Sequence, residues 1–292
     1  MPSSTKNVKL GVCKVTFDGF DLGYTKGGVE VTVKTETHKI QVDQFGKSVI
    51  NETIIGREVM AKVPMAETTL ENMVAIMPGA TLVQTGGAIA TGTLTVATQP
   101  AAGFTVTING TVVTFRASLA TFTGVGVEVL IGASVNETAA NLAAALNASG
   151  DERIGLAYYS VSGAVVTVRY GNEAVYGVNG RKGAEGNAFT LVSSGAAITV
   201  SSATLTGGTN PTAERVDVTH GIGTDLLSIA RELRFHPINK PSSDRSEDFV
   251  IPLAATPGAI DFAYKLEDER VYNVEYMGYP DSVTGKLFVV GA

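Results

Sequence analysis

The sequence predicts a mainly β protein of the α+β class, and three observations predict it. Glycine is abundant, with 33 residues in 292, and so are Val and Thr, a composition suited to short strands joined by tight turns. Several stretches alternate apolar and polar residues with a period of two. Charged residues make up only 17% of the chain, so surface polarity must come largely from Thr, Ser, Asn and Gly. At this length two cores are expected, because single cores stop growing near roughly 250 residues.

The first long strand is expected over Gly28 to Val42. Val29, Val31, Val33, Thr35 and Thr37 point one way, and Glu30, Thr32, Lys34, Glu36 and His38 the other, giving one dry face and one wet face. A second strand runs from Ile54 to Val63, where Val59, Ala61 and Val63 oppose Glu58, Met60 and Lys62. The polar loop Asp43, Gln44, Phe45, Gly46, Lys47, Ser48 lies between them. A short helix then fits Glu67 to Met77, with Leu70, Met73, Val74 and Met77 at helical spacing and Pro78-Gly79 as its stop.

Charge density drops sharply in the middle of the chain. No Asp, Glu, Lys or Arg occurs from Asn72 to Phe115 or from Gly186 to Ala213. Between the triplets Thr85 to Gly87 and Thr206 to Gly208, residues 88–208 hold 11 charges in 121 positions. Glycine turns at both ends of a segment with its own composition are what an inserted domain would show, because insertions succeed at exposed turns. The expected division is a discontinuous domain of residues 1–87 and 209–292 with an inserted domain of residues 88–208. Within the insert, Asn109-Gly110 marks a hairpin between Phe104 to Ile108 and Thr111 to Phe115. Ser134 and Glu137 form a capping box that opens a helix reaching about Asn147. Strands are expected near Ala164 to Tyr170, Ala188 to Val192 and Ala197 to Thr204, making a small α+β unit.

After the insert, Thr224 can cap a helix carrying Leu226, Leu227, Ile229, Ala230 and Leu233, with Pro237 blocking its extension. Strands follow at Asp248 to Pro252, Ala259 to Leu266, Arg270 to Tyr279 and Lys286 to Val290.

The residues that could carry chemistry do not assemble into a motif. Gly46-Lys47-Ser48 ends like a phosphate loop, but the glycine needed five positions earlier is Gln41. Gly221-Ile222-Gly223 begins like a dinucleotide fingerprint, yet position 226 is Leu226. His38, His220 and His236 lack metal-ligand spacing, and the lone Cys13 reads as a half-buried thiol on a strand. Glu267-Asp268-Glu269, beside Lys265 and Arg270, reads as a solvated turn. No catalytic, cofactor or metal residues are assigned. The net charge of −6 argues against a protein that grips nucleic acid. Met1 to Leu10 lacks the apolar core of an export signal, so synthesis and folding in the cytoplasm are expected, and no apolar run is long enough to span a bilayer.

Several ordered segments resemble the major tail tube protein of long, non-contractile bacteriophage tails. They are Gly27-Gly28-Val29-Glu30-Val31, Val42-Asp43-Gln44-Phe45-Gly46 and Ile55-Gly56-Arg57-Glu58-Val59 before the insert. After it come Gly223-Thr224-Asp225-Leu226-Leu227, Leu233-Arg234-Phe235-His236-Pro237, Tyr279-Pro280-Asp281 and Gly285-Lys286-Leu287-Phe288. The middle departs from a minimal member of that family. It resembles accessory domains of phage virion proteins, at Gly183-Ala184-Glu185-Gly186-Asn187-Ala188-Phe189.

The resemblance implies two packed β-sheets with a flanking helix, assembling as stacked hexameric rings in the virion tail. It implies tail tip and tail terminator proteins as partners, and double-stranded DNA in transit without specific binding. Glu30, Glu36, Glu52 and Glu58 are candidate lumen residues, since an acidic or neutral lining lets DNA slide. Asp43, Gln44, Phe45, Gly46, Lys47 and Ser48 are candidates for contact with a neighbouring subunit or ring. The insert is expected to project outward, with host surface glycans as a candidate partner. The alternative is a capsid or tail decoration protein of adhesin type.

Overall fold

The computed structural model describes residues 11–119, 127–242, 244–264 and 266–291. Met1 to Leu10 and Lys265 lie outside them. The chain is 43% strand and 13% helix, so the mainly β class holds.

In chain order the first elements are β1 (Cys13–Phe17), β2 (Phe20–Asp21), β3 (Glu30–Gln41), β4 (Val49–Met65), α1 (Leu70–Ile76) and β5 (Ala80–Thr85). Residues 88–208 contribute β6 (Thr91–Val96), β7 (Thr105–Ile108), β8 (Thr111–Arg116), β9 (Val127–Leu130), α2 (Val135–Asn147), β10 (Ala157–Ser162), β11 (Val165–Tyr170), α3 (Glu173–Tyr176), β12 (Leu191–Ser193) and β13 (Ile198–Val200). The last elements are β14 (Ala213–Val218), β15 (Arg231–Pro237), β16 (Phe249–Ala255), β17 (Tyr272–Gly278) and β18 (Val289–Val290).

The flanking segments build one antiparallel sheet in the order β2-β1-β15-β16-β17-β4-β3, with β18 also paired to β16. Strands from after residues 88–208 therefore sit between two pairs from before them in one sheet, and β1 pairs with β15 from Cys13↔Pro237 to Phe17↔Leu233. Period-two alternation gives the sheet one dry face, carrying Val15, Phe17, Val59, Ala61, Val63, Leu233, Val274 and Tyr276. Helix α1 covers part of it with Val74, Ala75 and Ile76, and the two-stranded sheet β5–β14 adds Leu82 and Val216. Thr69 caps α1, its hydroxyl accepting from Asn72 N at 3.1 Å, so the helix is shorter than the span from Glu67 to Met77. The second layer is thus α1 and a ribbon rather than a second large sheet.

Residues 88–208 form two four-stranded sheets, β10-β11-β6-β13 and β12-β7-β8-β9. Their own hydrophobic cluster includes Leu94, Phe115, Tyr159, Val168 and Leu191, with α2 contributing Ala139, Leu142 and Leu146. Asn109 and Gly110 turn the β7–β8 hairpin with φ of 47° and 84°. The Ser134 hydroxyl accepts from Glu137 N at 3.2 Å and starts α2. The ribbon β5–β14 leads into this segment, continuing through bridges Ala88↔Thr209 and Thr91↔Thr206. Gly87 is required there: its φ is 68°, and a Cβ would lie 2.7 Å from the Thr209 carbonyl oxygen.

Two expected elements are absent. The segment after Thr224 forms turns instead of a helix. Asp225 binds it locally, its carboxylate accepting from Leu227 N at 3.0 Å and its carbonyl from Ser228 N at 3.2 Å. Leu233 belongs to β15, where alternation with Phe235 buries both. No strand forms over the described residues of the stretch Ala259 to Leu266, whose Phe262 and Tyr264 instead gather around Arg270. The carboxylates of Asp268 and Glu269 bind Lys26.

Candidate self-assembly surface

Strands β3 and β4 form a hairpin much longer than the sheet that anchors it. Pairing runs from Glu30↔Lys62 to Gln41↔Val49. Only from Val59 onward does β4 have buried residues, at alternate positions, and every β3 residue except Ile40 is exposed. At about 3.3 Å per residue, the part beyond the core projects as an arm about 25 Å long. The expectation of one dry face on β3 therefore fails in the single chain: the body ends before the strand does.

Residues directly opposite in an antiparallel ladder share a face, which fixes the arm's surface. One face carries Glu30, Thr32, Lys34 and Glu36 against Lys62, Met60, Glu58 and Gly56. The other carries Val31, Val33, Thr35 and Thr37 against Ala61, Val59, Arg57 and Ile54. A bulge lies between the pairs Glu36↔Gly56 and Thr37↔Ile54, leaving Ile55 as the extra residue. An extra residue reverses the parity of everything beyond it. Glu30, Glu36 and Glu58 consequently share one face, whereas Glu52 lies on the opposite one, where its carboxylate accepts from the Thr37 hydroxyl at 2.5 Å. Simple alternation along the sequence puts Glu52 with Glu58, and the bulge separates them.

The arm is electrically balanced. From Glu30 to Lys62 it holds five acidic and five basic residues. Glu30 faces Lys62, Glu58 faces Lys34 and Glu52 faces Lys39. Lys62 also reaches Glu275 on β17 at 3.4 Å.

At the tip, Asp43 to Phe45 make a short 3-10 turn, closed by Gly46 with φ of 62°. Gly46 N donates to Asp43 O, Ser48 N to Phe45 O, and the Gln41 side chain to Lys47 O. Asp43, Gln44, Phe45, Gly46, Lys47 and Ser48 are all exposed, with Phe45 at 66%.

Exposed apolar side chains distinguish this surface from an ordinary solvated ribbon. Val31, Val33, Val49, Ile50, Ile54 and Ile55 are all exposed, Ile54 at 55% and Ile55 at 65%. Beyond the core the hairpin is two-stranded, a form that is marginal in water without apolar cover, and the outer edge of β3 is unpaired among the described residues. Sequence reasoning singled out the carboxylates and missed Ile54 and Ile55, although two adjacent isoleucines cannot both point inward on a strand. Further exposed apolar residues, Ile222, Tyr264, Leu266 and Val283, lie on loops outside the sheet.

The remaining candidates have local partners. His236 Nδ1 lies 2.6 Å from the fully buried Asp248, which also binds Arg234 at 3.0 Å and Arg245 at 3.4 Å. His220 Nδ1 accepts from Ile222 N. Cys13 is half-buried at the start of β1, and burial pushes its thiol up. Among the described residues there is no group of three His, Cys, Asp or Glu side chains able to hold a metal, and no helix long and apolar enough to cross a membrane. No protein-family model matches the chain, and no curated protein matches it significantly.

Proposed function

We propose that the chain is a virion structural protein without catalytic chemistry, a tail tube subunit of a long-tailed, non-contractile bacteriophage. In this reading subunits close into hexameric rings, the rings stack into a tube, and the phage genome passes through it to the host. The observation that carries the proposal is the arm: a protruding hairpin with an open edge, no net charge and exposed isoleucines. Such a ribbon is an aggregation liability in a monomer and becomes an asset when a head-to-tail interface closes by rotation.

Two further features support it. Five acidic and five basic residues between Glu30 and Lys62, with lysines opposite Glu30, Glu52 and Glu58 in the ladder, leave the arm no net positive charge to hold a duplex, as a conduit for DNA requires. Residues 88–208 contact the sheet on its β1–β2 side, through Lys14 with Glu152 and Asn172 with Asp18, while β3 forms the opposite edge. A body of that size can then sit outside a ring whose contacts are made by the arm. Electron microscopy of the purified chain at rising concentration tests the proposal. Rings or tubes of uniform diameter are expected, and a monodisperse monomer at millimolar concentration would overturn it.

A further inference from the structure

Residues 88–208 are fastened to the main sheet well beyond the ribbon that leads into them. The fastening centres on the β1–β2 turn, where Asp18 and Gly19 have φ of 50° and 73°. Asn172, only 4% exposed, donates from Nδ2 to Asp18 O at 2.8 Å and to Gly155 O at 2.7 Å. Its Oδ1 accepts from Ala174 N at 2.9 Å and so starts α3. Gly155 packs on Gly19 so closely that a Cβ there would lie 3.2 Å from the Gly19 Cα. Val175 of α3 is buried in the same cluster as Phe17, and Ala174 and Tyr176 pack against that cluster.

The Asp18 carboxylate lies in this seam. Arg231 of β15 approaches it at 3.8 Å, and Glu232 of β15 and Glu173 of α3 act on it as like charges. Of the other charged groups nearby, Lys14 is held by Asp21 and Glu152, and Arg234 by Glu232 and Asp248. The Asp18 carboxylate thus has Arg231 as its counter-charge and Glu173 and Glu232 as like charges, at a joint that also carries the buried Asn172 hydrogen bonds.

We propose that this seam is a pH-responsive latch, in which protonation of Asp18 tightens residues 88–208 against the main sheet and its ionisation loosens them. Burial pushes the Asp18 carboxyl up, Arg231 pulls it down, and Glu173 and Glu232 push it up again, to about 6. A group that holds its proton more tightly when docked favours docking in its protonated form. The contribution is present at low pH and is lost as pH rises through about 6. The latch belongs to the single subunit and does not depend on tube assembly.

The test is an NMR titration of the Asp18 carboxyl in the full chain, read together with the Asn172 side-chain amide. Both are expected to move with one midpoint near 6. Asp18→Asn, which tolerates the positive φ, should abolish the Asn172 transition. It should also raise the melting temperature at about pH 7.5 while leaving it unchanged at about pH 4. Glu173→Gln should lower the Asp18 midpoint, an independent check if Asp18→Asn folds poorly. An Asp18 midpoint near 4, or an Asn172 amide that stays still through the Asp18 transition, overturns the proposal.

Discussion

Replacing Ile54 and Ile55 by threonine should block assembly while leaving the subunit folded. Threonine keeps the β-branch that suits a strand, so the arm itself should persist. Full burial of an isoleucine stabilises by about 2 kcal/mol, and 55% and 65% of these two side chains is still available for burial. Each should therefore contribute about 1 kcal/mol to a contact that covers it, and the pair about 2 kcal/mol. That corresponds to about a thirtyfold rise in the concentration needed for polymerisation. Stability of the monomer should change by less than about 0.5 kcal/mol, because both residues project into solvent there. Sedimentation across a concentration series gives the first quantity and urea denaturation the second. An unchanged critical concentration in the Ile54→Thr/Ile55→Thr variant would refute the assignment of the arm as the assembly surface.

Four other substitutions test packing and backbone conformation. Asp248→Asn leaves Arg234 and Arg245 without their buried counter-charge and should cost about 3–5 kcal/mol in urea denaturation. Val175→Ala removes two methyl groups from the flank core and should cost about 2 kcal/mol, whereas no loss would show that α3 merely touches that core. Gly87→Ala should destabilise by about 3 kcal/mol, since it adds a clash with Thr209 and Pro211 to an unfavourable φ; Gly27→Ala, with open space around it, should cost only about 1 kcal/mol.

Local signals were the legible part of the fold. Asn109-Gly110 and Ser134 with Glu137 act through contacts a few residues apart, and both produced the elements they announce. The paired glycines at Gly86-Gly87 and Gly207-Gly208 mark where the ribbon crosses into residues 88–208. The helix expected after Thr224 failed because Asp225 closes turns over the residues that follow it, and pairing of β15 between β1 and β16 takes Leu233 into a strand. Neither β5 nor β14 was anticipated: Thr81 to Gln84 carries no charge contrast, and its partner lies beyond residues 88–208. On the arm, alternation located the strands but could not reveal that the body stops short of them, nor that Ile55 is the extra residue of a bulge. The seam at Asp18 and Asn172 joins positions far apart in sequence, and nothing local to either one announces it.

Hydrogen exchange along β3, compared between the subunit and its assembled form, tests the central claim most directly. In the subunit the amides of β3 that point away from β4 lie on an open edge and should exchange rapidly. Assembly through the arm predicts that those amides, with the tip from Asp43 to Ser48, become strongly protected in the polymer. A polymer in which they exchange as fast as in the subunit would contradict the account.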